Sequence, residues 1–186
     1  APRDMPTTTG PMPATPAVAP PRTVMFIGDS GMVDLEPALA AAYRAMGTER
    51  LVVDARPGFG LTSLAGSEWR NQWRELVETN RPDLIVGMFG KWDRDWWQSN
   101  GDDAYAKLVD EAIVVLSAHG ARVHWLAMPP SSIEPDRSLN RIYEQVAASH
   151  PGTVIYDDFE AVLRTGEVAG STGPPVPLYG RVRTID

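Results

Sequence analysis

Short apolar runs alternate along this chain with longer stretches in which apolar side chains return every three or four residues. The runs are Val24–Ile27, Leu51–Asp54, Leu84–Gly87, Val123–Ala127 and Val154–Tyr156, and their length and β-branched content predict strands. Between them, Leu35, Leu39, Ala42 and Met46 recur at helical spacing, as do Trp69, Trp73, Leu76 and Val77, and Ala112, Val115, Leu116 and His119. That spacing predicts helices over Asp34–Met46, Glu68–Asn80, Asp102–His119 and Asp136–His150. Gly47, Gly120 and Gly152 follow helix ends, and Pro82 and Pro151 stop them. Strands that alternate with helices imply a parallel sheet covered on both faces. With right-handed crossovers, the expected architecture is α/β: a flavodoxin-like three-layer sandwich with a five-stranded parallel sheet.

The pattern begins only at Thr23. Residues 1–22 hold seven of the 17 prolines, with threonine and alanine and almost no large apolar groups. Such a segment cannot bury enough surface to offset its ordering entropy, so it reads as a flexible tether, with the folded domain over 23–186. Tethers of this composition are common between an envelope anchor and an exported domain, which places the expected location outside the cytoplasm. Arg164–Tyr179, rich in Gly, Pro, Ser and Thr, reads as a long surface loop.

Charge and composition narrow the chemistry. The net charge of −7 would repel a phosphate backbone, and only Arg181 and Arg183, with scattered arginines, offer a basic patch, so no nucleic acid is expected as a partner. There is no cysteine, hence no disulfide or thiolate metal site. His119, His124 and His150 make no metal-ligand spacing with nearby carboxylates. No metal or cofactor is expected, and a monomer is.

One stretch asks for a chemical explanation. The first strand ends in Gly28-Asp29-Ser30-Gly31 before any helical pattern has begun. In open α/β sheets ligands bind outside the carboxyl ends of the strands, where strand order reverses. A serine there would sit at the mouth of a site, near a helix N-terminus that favours negative charge. The plainer explanation is that Asp29 or Ser30 caps the next helix. Asp34 is the better cap by sequence, with Pro37 in the first turn behind it, and that would leave Ser30 in a loop.

Strand-Gly28-Asp29-Ser30-helix at the edge of an α/β domain resembles the first block of the SGNH (GDSL) hydrolases, and the resemblance runs from Thr23 to the end. It implies that Ser30 is the nucleophile and that its own N–H is part of the oxyanion hole. The family's second block is a glycine in the loop after the second strand; in VVDARPGFGLTS either Gly58 or Gly60 could fill it. The third block is usually Gly-x-Asn-Asp. Here Gly90-Lys91-Trp92-Asp93 matches it at Gly90 and Asp93, with Trp92 where asparagine is expected. That departure is similar to the SGNH domains attached to membrane acyltransferases that O-acylate envelope glycans. Asp29, Trp92, Asp93, Trp96 and Trp97 are the candidate substrate-binding residues, since loop aromatics can stack on sugars or wall an acyl chain. Trp69, Trp73 and Trp125 are expected in the core.

The family's last block is Asp-x-x-His. The chain ends RVRTID, which makes Asp186 the expected triad acid and puts the histidine just beyond it, so the domain is expected to lack its extreme C-terminus. A serine without its base is a weak nucleophile. The resemblance implies serine-dependent acyl transfer, by an esterase or an O-acyltransferase, on a small-molecule or glycan acyl ester. A membrane-associated acyltransferase would be the partner. A non-catalytic carbohydrate-binding domain that kept the fold is the alternative. A nucleotide-binding domain is disfavoured because no phosphate-cradling glycine loop precedes a helix.

Overall fold

In the computed structural model, which describes residues 19–64, 67–129 and 134–158, every expected strand forms. They are β1 (Thr23–Gly28), β2 (Arg50–Ala55), β3 (Leu84–Met88), β4 (Arg122–Leu126) and β5 (Val154–Asp157). All neighbours pair in parallel, in the order β2-β1-β3-β4-β5. Strand order therefore reverses at β1, which has β2 on one side and β3 on the other.

The apolar runs are continuous because both faces of the sheet are covered. Met25, Ile27, Ile85, Val123, Trp125 and Val154 point to one side. There they meet the helices α2 (Trp69–Asn80), α4 (Asp102–Leu116) and α5 (Glu134–Ala148). The alternate residues Val24, Phe26, Leu84, Val86, Met88 and Leu126 point to the other side, against Met32, Leu35, Leu39, Ala40 and Tyr43 of α1 (Ser30–Ala45). This is the three-layer sandwich the alternation predicts. Trp69, Trp73 and Trp125 are all buried in the larger cluster, as expected. Phe89 gathers it, with its ring centroid 4.8 Å from Trp125, 5.3 Å from Phe59 and 5.8 Å from Trp73.

Two expectations need correcting. The first helix starts at Ser30, not Asp34: Asp29 is its N-cap, accepting from the Gly31 N–H at 2.8 Å, and Asp34 lies inside the first turns. Sequence favoured Asp34 because Pro37 looked like a first-turn proline. Pro37 instead sits within the helix, at its second turn. The tryptophan stretch is likewise not a loop. A 3₁₀ turn, Lys91–Asp93, leads directly into a short helix, α3 (Arg94–Asn100).

Pro21 and Arg22 are already tied to the domain. The Pro21 carbonyl accepts from the Thr48 hydroxyl at 2.9 Å, and the N–H groups of Arg22 and Thr23 donate to Asp83 at 2.9 and 2.8 Å. Most of the expected tether, the Arg164–Tyr179 loop, Arg181, Arg183 and Asp186 lie outside the described residues.

Candidate active site

The ends of β1, β2 and β3 come into register at one level. Gly28 pairs with Ala55 on one side and Met88 on the other. A side chain at Gly28 would collide with the Met88 carbonyl and lie 2.6 Å from the Met32 Cβ. Glycine is therefore required where the strand turns into the helix without an intervening loop. The turn is held by the Asp29 N–H donating to the Met88 carbonyl at 3.2 Å. Ser30 follows as the first helical residue, half-buried, at the N-terminus of a 16-residue helix whose dipole favours an anion. The cap and the candidate nucleophile are thus neighbouring residues, and capping by Asp29 does not compete with a role for Ser30.

Asp29 itself is nearly inaccessible. Burial pushes its carboxyl up to about 6, an effect the Gly31 hydrogen bond and the charges of Lys91 and Arg94 reduce and Asp93 reinforces. The Asp29 N–H donates to the last residue of β3, Met88, so the turn that follows β3 leaves the sheet on the same side as Asp29.

The loop after β2 is fastened to the same level. The Arg56 N–H donates to the Gly28 carbonyl at 2.9 Å. Asp54, at the end of β2, accepts from Gln72 and from the Trp73 indole, each at 2.9 Å, while the Arg56 guanidinium donates to Gln72 at 2.6 Å. Gly58 takes the left-handed region, φ 82°, to turn the chain. Gly60 is packed so closely that an added Cβ would lie 2.5 Å from Asp93 Oδ1. Beyond it the loop's donors are used: Leu61 and Thr62 N–H go to Asp93 at 3.0 and 2.8 Å, and Ser63 N–H goes to the Gly60 carbonyl at 3.3 Å. The Phe59 N–H goes to Arg56. The Gly60 N–H has no hydrogen-bond partner among the described residues.

Asp93, expected to touch substrate, is wholly buried and does something else. Besides the two backbone N–H groups it accepts from the Thr62 hydroxyl at 2.6 Å and the Tyr105 hydroxyl at 2.7 Å. Tyr105 meets the Tyr143 hydroxyl at 2.8 Å, and Tyr143 donates to the Phe89 carbonyl at 3.0 Å. Burial raises both phenols well above their usual range. Asp93 is the bolt joining the second and third loops. Gly90, φ 135°, lies against the Tyr143 hydroxyl with no room for a side chain.

The three tryptophans divide. Trp92 is 53% exposed. Trp96 and Trp97 are half-buried against the core; the Trp97 indole donates to Asp102 at 2.8 Å, and the Trp96 ring lies 6.5 Å from that of Tyr105. Arg94 pairs with Asp136. The roles of Tyr105 and Tyr143 had no sequence signal: both sit at ordinary core positions of amphipathic helices.

All three histidines are engaged by carboxylates, two of them at the far edge. His119 and His150 lie beyond the C-terminal ends of α4 and α5, at the opposite edge of the sheet, with Glu78 at 2.5 Å and Asp110 at 2.7 Å. His124, mid-strand in β4, pairs with Asp157 at 2.5 Å.

A family model described as "Protein of unknown function (DUF459)" matches residues 23–169. The chain belongs to the DUF459 family. No curated protein matches this DUF459 chain. Among solved structures it is similar to esterase EstA from Pseudoalteromonas sp., at 11% identity and a TM-score of 0.58, covering 80% of this chain and 84% of that one. It is similar also to the lipase/acylhydrolase from Enterococcus faecalis (19% identity, TM-score 0.58, 77% and 79% covered). AlinE4, described as an SGNH-hydrolase family esterase, gives 15% identity and a TM-score of 0.57, with 86% and 89% covered. The DUF459 domain has the SGNH hydrolase fold, as the resemblance implied.

Proposed function

We propose that this DUF459 domain is a serine-dependent acyl-transfer enzyme, an esterase or O-acyltransferase, acting through an acyl-Ser30 intermediate. The observation that carries the reading is the juxtaposition at the switch point. A half-buried Ser30 opens α1 where β1 ends, and the neighbouring loop keeps the N–H groups of both its glycines, Gly58 and Gly60, without a partner among the described residues. The fold shared with esterases supports it, as analogy only.

Ser30 Oγ attacks the ester carbonyl and passes its proton to a base. The N–H groups of Ser30 and Gly60 receive the developing oxyanion, and the helix dipole adds to them. The tetrahedral species expels the alcohol, which takes up the proton. Water or a sugar hydroxyl then removes the acyl group. Gly60 is preferred to Gly58 because it packs directly against Asp93, which fixes the backbone there by accepting from the next two N–H groups, Leu61 and Thr62. The base comes from outside the described residues, with Asp186 orienting it. Trp92 faces the substrate, with Trp96 and Trp97 behind it. The substrate class is an acyl ester of a cell-envelope glycan or glycolipid, the location extracytoplasmic, and a membrane-associated acyltransferase the partner.

The test is intact mass after exposure to a fluorophosphonate, on a chain extended past Asp186. One adduct is expected, absent in Ser30→Ala; no adduct on folded protein would sink the reading. One observation favours a second reading, a carbohydrate-binding domain without catalysis: exposed Trp92 stands where the family has its asparagine. That reading requires glycan binding that Ser30→Ala leaves unchanged, together with no adduct.

A further inference from the structure

The cations around Ser30 are unequal. Arg56 is committed to Asp54 and Gln72, and Arg94 to Asp136. Lys91 is exposed and makes no hydrogen bond or ion pair among the described residues, although its charge acts on Asp29, the residue before Ser30. Beside it in the 3₁₀ turn stands Trp92, the most exposed large aromatic in the described chain, where every other tryptophan is buried or half-buried. Neither residue is needed to hold the turn. Gly90 seats it against Tyr143, and Asp93 anchors it with four accepted hydrogen bonds. An ammonium and an indole are thus exposed on the turn that follows β3, at the strand ends where Ser30 lies.

An ammonium without a partner in an acidic protein of net charge −7 is a place for a substrate anion. An exposed indole is a place for the C–H face of a sugar ring. Resting on the acyl-transfer reading above, we infer that Lys91 and Trp92 form a subsite for an anionic sugar, and that the ester substrate carries a carboxylate-bearing, uronic-acid-type residue near the scissile bond. A neutral acyl ester would leave Lys91 unused. A fatty acyl chain would occupy Trp92 but not the charge next to it.

On the same chain extended past Asp186, labelling of Ser30 by a neutral alkyl fluorophosphonate, with each variant compared against its own uncompeted rate, separates this inference from the one beneath it. An oligogalacturonate should slow labelling of the wild type, and a neutral maltooligosaccharide of equal length should not. The apparent dissociation constant of that protection should rise about fivefold in Lys91→Ala, recover in Lys91→Arg, and rise in Trp92→Ala. It should also weaken with added salt. Equal protection by both sugars, protection unchanged in Lys91→Ala, or no protection overturns the subsite while the nucleophile stands. No labelling of any variant overturns the nucleophile, and the subsite falls with it.

Discussion

The two edges of the same sheet are built on different rules. At the edge where the strands begin, charge is settled locally: Asp83 takes the Arg22 and Thr23 N–H groups, Glu78 pairs with Arg81 and His119, and His150 pairs with Asp110. These partners are mostly half-exposed, and such pairs are worth little each. At the edge where the strands end, three carboxylates are buried, three glycines are packed against atoms that exclude a Cβ, and the N–H groups of Gly58 and Gly60 have no partner among the described residues. The first arrangement closes a sheet. The second costs stability and yields a shaped, polar, fixed surface, the kind of expense a protein bears where something has to bind.

The largest break in that contrast should come from Asp93. Asp93→Ala strands the N–H groups of Leu61 and Thr62 and the Tyr105 hydroxyl in the interior, and should cost about 3–5 kcal/mol in urea unfolding. A loss below about 1 kcal/mol would mean the two loops are not bolted through it.

Asp29 sharpens the comparison through pH. Its carboxyl titrates near 6 in the folded chain against 3.8 ordinarily. The folded state therefore holds the proton more tightly, and stability falls as pH rises from about 4 to 6. Above 6 the burial penalty is present in full, on the order of 2–3 kcal/mol. Asn is as good a cap as Asp, so Asp29→Asn should be more stable than the wild type at pH 7.5 and no more stable at pH 3.5. Equal differences at both values would show that the buried charge is not what Asp29 contributes.

Legibility followed the same divide. All five strands and the long helices could be read because a doubly covered parallel sheet writes itself as apolar runs, and Trp69, Trp73 and Trp125 announced the core by periodicity. Ser30 was legible through its flanking glycines. The helix start was not: Asp29 and Asp34 are both good caps in isolation, and only the strand pairing of Gly28 with Met88 decides between them. Asp93 was misjudged because a motif position says which residue is present and not which way it faces. Its partners, Leu61, Thr62 and Tyr105, are remote in sequence, so no local pattern could reveal them. Lys91 passed unnoticed for a related reason, since lack of a partner is a property of the fold.

The choice between Gly58 and Gly60 can be made by experiment. Gly60→Ala pushes a methyl into Asp93 and displaces the Gly60 N–H. It should cost about 1–3 kcal/mol and slow Ser30 labelling on the order of 10²-fold. Gly58→Ala strains a left-handed backbone, at about 1 kcal/mol, and should label nearly normally. The reverse ranking would move the oxyanion donor to Gly58.

The smallest expected effect tests the far edge. His150 joins α5 to α4 through Asp110, a pair in which the carboxylate is more than half exposed. His150→Gln should change unfolding free energy by no more than about 0.5 kcal/mol and leave the rate of Ser30 labelling as it was. His119→Gln and His124→Gln should behave alike, because each histidine is occupied by a carboxylate, Glu78 for His119 and Asp157 for His124. If any one of the three abolished labelling, the base would lie among the described residues after all. The two edges would then be parts of one site, and the division drawn between them would fail. If all three label normally, none of these histidines accepts the proton from Ser30, which directs the search for the base past Asp158.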